Sequence, residues 1–145
     1  MNRPPTRGPD RPDRPEVAVL AGPLRAHAAG VCADIAAADL LIDHRTWLSR
    51  PDFGRHIHHQ PPTQTPGQTM GQTPAQSNGA WIDWPAALAA LTGGQLPCTG
   101  SEAAVLRIAA ALGADTTVCL RQVLGGLDRP TIALITTAIT RANGA

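Results

Sequence analysis

Lysine and tyrosine are absent from this 145-residue chain, phenylalanine occurs once and tryptophan three times. So few aromatics exclude a core filled by large rings, and its volume must come from Leu, Ile, Val and many Ala. Small side chains of that kind let helices approach closely and do not favour a β-branched sheet. All twelve basic residues are Arg, a usage that reflects coding bias more than guanidinium chemistry. Excess charge of either sign is missing too, since the net charge is +1. Residues 17–59 carry four Arg against four Asp, and residues 80–145 carry four Arg against three Asp and one Glu. Neither region has the basic excess of a nucleic-acid footprint. No apolar run approaches the ~20 residues that span a bilayer, and the start, Met1-Asn2-Arg3-Pro4-Pro5, has no apolar signal segment. The expectation is a cytoplasmic protein without membrane contact. Three widely spaced cysteines, Cys32, Cys98 and Cys119, fit reduced, mostly buried thiols better than a disulfide framework.

What is present is helical punctuation, densest from Thr99 to Ala142. Thr99-Gly100-Ser101-Glu102 fits a capping box. Val105, Ile108, Ala109 and Leu112 follow at helical spacing, and Gly113 offers a left-handed stop. A short helix is expected over about Val118–Leu124, with Leu120, Val123 and Leu124 inward. A third starts after Asp128 as cap, with Pro130 in its first turn and Ile132, Ile135, Ala138 and Ile139 as its apolar stripe. Upstream, Leu24, Ala28, Val31, Ile35, Ala38 and Ile42 alternate spacings of four and three, predicting one long helix from Pro23 with Gly30 in its middle. Asp39 and Asp43 near its end call for cationic neighbours such as His44, Arg45 or an Arg from another element. Trp47, Leu48 and Phe53, around a short helix at Pro51, are expected to seal that end. Trp81-Ile82-Asp83-Trp84-Pro85 starts a further helix to Leu91, capped by Asp83 or Trp84.

Two segments cannot form a core. Residues 1–16 form a Pro/Arg-rich tail, and residues 60–79 form a Gln/Thr/Pro-rich stretch with almost no apolar side chain; both are expected to be disordered. The latter would act as a linker that leaves the geometry of its flanks unfixed. The fold expected is all-α, a small bundle of about five helices, with residues 17–59 and 80–145 contributing to one core.

Candidate chemistry is sparse. His56, His58 and His59 beside Asp52 have the residue types of a metal site, but no second cluster completes a ligand set, so no metal is expected. Cys98 precedes a helix N-terminus, where a thiol can be acidified, yet the same position packs as a hydrophobic staple. No nucleophile elbow and no phosphate loop occurs, so no catalytic residue and no cofactor is expected. The helices of residues 101–143 invite a helix-turn-helix reading in which Arg121 and Gln122, or Thr136, Thr137, Thr140 and Arg141, would face bases. The balanced charge opposes it. Trp81, Trp84 and the face bearing Thr131, Thr136, Thr137, Thr140 and Arg141 are instead expected to meet a protein partner or a second copy, as befits a non-enzymatic interaction or regulatory accessory protein. DNA binding is the alternative.

Thr46-Trp47-Leu48, Asp52-Phe53, Trp81-Ile82-Asp83-Trp84, Leu96-Pro97-Cys98, Glu102 with Leu106-Arg107-Ile108-Ala109-Ala110, and Leu124-Gly125-Gly126-Leu127-Asp128 together resemble a group of small uncharacterised actinobacterial proteins. The resemblance covers roughly residues 24–57 and 80–143. It implies a cytoplasmic, helical, accessory protein and carries over no activity and no site residue.

Overall fold

Gly30 takes a φ of +96°, a left-handed conformation that other residues rarely adopt, and it cuts the expected long helix in two. The computed structural model describes residues 15–60 and 79–144. Among these, seven helices and two strands follow in the order α1 Pro15–Ala28, α2 Cys32–His44, α3 Pro51–Gly54, β1 Ile57–His59, β2 Ala80–Ile82, α4 Trp84–Thr92, α5 Gly100–Gly113, α6 Leu120–Leu124 and α7 Arg129–Ala142. The protein is helical, as the patterning predicts, with one small sheet added. Most of the expected tail and linker lies outside the described residues. Pro15 already begins α1, and Pro23, expected to start a helix, lies inside it. Val31, expected on the buried face, precedes α2 in extended conformation and is 50% exposed.

Helix α2 is the axis of the fold. Its six consecutive residues Ala36–Leu41 are all buried, which only a helix covered on several sides allows. Helices α1, α5 and α7 cover it, and the alanines permit their close approach. Arg141 of α7 meets Asp39, and Gly144 lies beside Cys32 Sγ, so α7 runs antiparallel to α2. Helix α5 does the same: Trp47, just after α2, donates its indole N–H to the Glu102 carbonyl at 3.0 Å, whereas Gly113 shares a cleft with Asp34 and Ala38. One core cluster joins Leu24, Leu41, Trp47 and Phe53 to Ile82, Val105, Leu106 and Ile135. Trp47, Leu48 and Phe53 are fully enclosed, as expected of a seal.

The strands pair antiparallel with Ile57 opposite Ile82, His58 opposite Trp81 and His59 opposite Ala80. Gln60 N–H donates to the Gly79 carbonyl at 2.7 Å, and Asp83 N–H to the His56 carbonyl at 2.8 Å. This ladder fixes both flanks of residues 61–78 against each other, contrary to the expectation of unfixed geometry.

The caps follow the sequence in part. Thr99 and Glu102 form the reciprocal capping box, both bonds at 3.2 Å, and Asp83 Oδ1 accepts from Ala86 N–H at 3.1 Å. Asp128 occupies the cap position of α7 but makes no capping bond, although Asp83, with a proline at the same place in α4, makes one. Two expected faces are rotated. In α6 only Val123 is buried, and Leu120 and Leu124 are exposed; in α7 Thr131, Ile135 and Ala138 face inward, and Ile132 and Ile139 are 44% and 51% exposed.

Candidate interaction surfaces

Trp81 alternates with the buried Ala80 and Ile82 on β2, so the ladder turns its indole outward. Cross-strand register places His58 opposite it, and the two rings stack at 5.5 Å with 30° between planes. His27 of α1 lies against the same indole at 5.6 Å and 32°. Trp81 is thus gripped by two imidazoles and remains 37% exposed. Trp84, at the start of α4, rests on the end of α5: a Cβ added at Gly113 would stand 2.6 Å from Trp84 Nε1. Gly113, expected as a left-handed stop, is instead the last residue of α5 and is absent from the positive-φ glycines. It is required for space rather than for backbone freedom, a role that spacing alone does not reveal.

A cleft of ≈ 130 Å³ is lined by both tryptophans together with Leu24, His27 and Ala28 of α1, Asp34 and Ala38 of α2, and Ile82. Its lining is apolar apart from the imidazole, the indole N–H groups and the Asp34 carboxylate. Such a site suits an aliphatic side chain accompanied by a donor or a cation.

The second candidate surface, on α7, is built differently. Thr136, Thr137 and Thr140 are exposed, and each hydroxyl donates at 2.9 Å to the carbonyl four residues earlier, those of Ile132, Ala133 and Thr136. Their donors are spent within the helix, leaving methyl groups and lone pairs outward. Thr131, expected on this face, is buried at 5% exposure. Arg141 does not stand free beside the threonines: it donates to Asp39 Oδ2 at 3.1 Å and lies 3.6 Å from Asp43 Oδ2, while Arg25 Nε holds Asp39 Oδ1 at 2.7 Å. The cationic neighbours of Asp39 and Asp43 are therefore arginines from α1 and α7.

Of the remaining candidates, His59 is exposed opposite Ala80, and the others have structural partners. His56 packs on Phe53 at 6.1 Å, and His58 is taken by Trp81. Asp52 accepts from Arg50 Nε at 2.9 Å, and Arg50 also reaches the Pro97 carbonyl at 2.6 Å with its guanidinium 4.9 Å above Trp47. Among the described residues no three His, Cys, Asp or Glu side chains converge as a metal set. Cys32 and Cys119 are exposed and Cys98 is half-buried, so the expectation of mostly buried thiols fails. Burial, with Glu102 adding to it, pushes the Cys98 thiol up, and its side chain packs against the core. No helix among the described residues is long and apolar enough to cross a membrane.

Comparison with protein-family models, curated proteins and solved structures finds no match to this chain. The resemblance to the actinobacterial group therefore rests on the quoted motifs alone.

Proposed function

We propose that this chain is a non-enzymatic, cytoplasmic accessory protein that acts by docking a protein partner on the aromatic edge around Trp81. The observation that carries the reading is the packing on Trp81: two imidazole rings, of His27 and His58, lie against a large exposed indole, so little further freedom is lost when a partner covers it. The adjacent cleft, with Trp84 and Asp34, supports a partner that inserts one aliphatic side chain and offers a donor or cation to the carboxylate.

The test is capture from native lysate on immobilised wild type and on Trp81→Ala, followed by titration of the purified partner. The reading expects a partner held by wild type and weakened at least tenfold by Trp81→Ala and by Asp34→Ala. Equal capture by wild type and variants overturns it. A parallel titration with a mixed-sequence duplex examines the DNA alternative, for which Arg107, Arg121 and Arg129 are exposed on the α5–α7 unit. A salt-sensitive complex lost on Arg121→Ala would put that alternative in its place.

A further inference from the structure

The aspartates of α2 are partnered unequally. Asp39 is held by Arg25 and Arg141, and Asp43 lies 3.6 Å from Arg141. Asp34, half-buried in the first turn, makes no ion pair and accepts no hydrogen bond among the described residues. Its place is in the lining of the ≈ 130 Å³ cleft that Trp81 and Trp84 share. The indole N–H groups of those two tryptophans have no acceptor among the described residues either, whereas that of Trp47 is bonded to the Glu102 carbonyl. The cleft therefore combines an unpaired anion and two unspent donors with the aliphatic Leu24, Ala28, Ala38 and Ile82.

We infer that the side chain which the partner inserts, on the docking reading above, is that of a lysine. Size agrees. An apolar cavity of about 150 Å³ takes a benzene molecule, so this cleft holds roughly five non-hydrogen atoms, which matches a lysine from Cβ to Nζ and falls short of the planar fork of an arginine. The methylenes lie along the aliphatic lining, as the stems of long charged side chains do on apolar surface. The ammonium meets the Asp34 carboxylate, and carbonyls of the chain that bears the lysine accept from the indole N–H groups. Charge complementarity thus selects a cation, and the aliphatic lining selects one on an alkyl stem. The protein itself has no lysine, so neither its own segments nor a second copy can fill the cleft in this way. The occupant is a different protein.

The test titrates the full chain at neutral pH with n-butylammonium, the lysine side chain without its backbone, and with n-butanol as the neutral counterpart, following the indole N–H resonances. n-Butylammonium moves the Trp81 and Trp84 signals to saturation with a dissociation constant on the order of millimolar, about fivefold or more tighter than n-butanol. Asp34→Asn removes this preference while still binding n-butanol, which shows that the cleft is formed in the variant. Asp128→Asn, at an exposed carboxylate outside the cleft, keeps the preference. n-Propylguanidinium, the arginine counterpart, binds more weakly than the amine, and N-acetyl-lysine N-methylamide binds at least as tightly. Equal binding of n-butanol, or a preference that survives Asp34→Asn, overturns the ammonium. Tighter binding of n-propylguanidinium overturns lysine, and weaker binding of the blocked lysine overturns a protein as its source. No partner protein enters these titrations, so their failure is separable from failure of the Trp81 docking surface: capture that is lost on Trp81→Ala, beside a cleft without preference for the amine, strikes the lysine alone.

Discussion

Arg141 on α7 donates to Asp39 on α2 at 3.1 Å across 102 positions of the chain, and Arg25 reaches the other oxygen of the same carboxylate. One nearly buried Asp therefore ties the first and last described helices to the central one. Asp39→Ala leaves both arginines without it, but they are about half exposed, so water offsets part of the loss. The expected cost is about 1–3 kcal/mol in urea unfolding, and an unchanged midpoint would contradict the tie.

Two glycines on helices separate space from backbone freedom. At Gly113 an added Cβ strikes the Trp84 indole, whereas at Gly22 nothing lies within 4 Å. Gly113→Ala is expected to destabilise by roughly 1–3 kcal/mol through overpacking and to alter tryptophan fluorescence. Gly22→Ala is expected to stabilise by about 0.5–1 kcal/mol. Calorimetry on the two variants checks both signs.

Burial pushes the His44 imidazole below its usual value of 6.5, with Glu102 and Asp128 only partly opposing, and its Nδ1 is buried without a partner among the described residues. The unfolded chain then takes up a proton at a pH where the folded chain does not. His44 accordingly contributes stability that is complete above pH 6.5 and declines as pH falls below it toward the lowered folded value. His44→Leu should flatten that slope between pH 7 and pH 5 in urea midpoints. Parallel slopes for wild type and variant would refute the assignment.

The Arg50–Asp52 pair acts in a lower window. The hydrogen bond from Arg50 holds Asp52 below its usual 3.8, so its contribution is complete above that value and lost as pH falls through the folded one. Both groups face solvent in part, and Asp52→Asn is expected to cost no more than about 1 kcal/mol at pH 7, read from the shift in midpoint relative to wild type.

Local signals carried the helices far and the site less far. The Thr99–Glu102 box and the Asp83 cap need only residues three apart, and both are present. The break at Gly30 was hidden because the apolar spacing runs across it, and only its positive φ ends the helix. Strands of three residues leave no alternation to read, so the pairing that sets His58 on Trp81 was not legible. The outward Ile132 and Ile139 were misplaced because α2 selects the face centred on Ile135, and Thr131 fills the position that hydrophobicity assigned to isoleucine. Trp81 and Trp84 stood out by type alone, but His27, Asp34 and Gly113, which complete the cleft, come from three helices that share no local pattern.

The central claim is that a protein partner docks at Trp81, and the most direct measurement follows the three indole N–H resonances of the labelled chain as the captured partner is added. The account predicts that the Trp81 and Trp84 signals move and saturate together while that of Trp47, enclosed and bonded to the Glu102 carbonyl, stays in place. A partner that binds while leaving the Trp81 and Trp84 signals unmoved would contradict it.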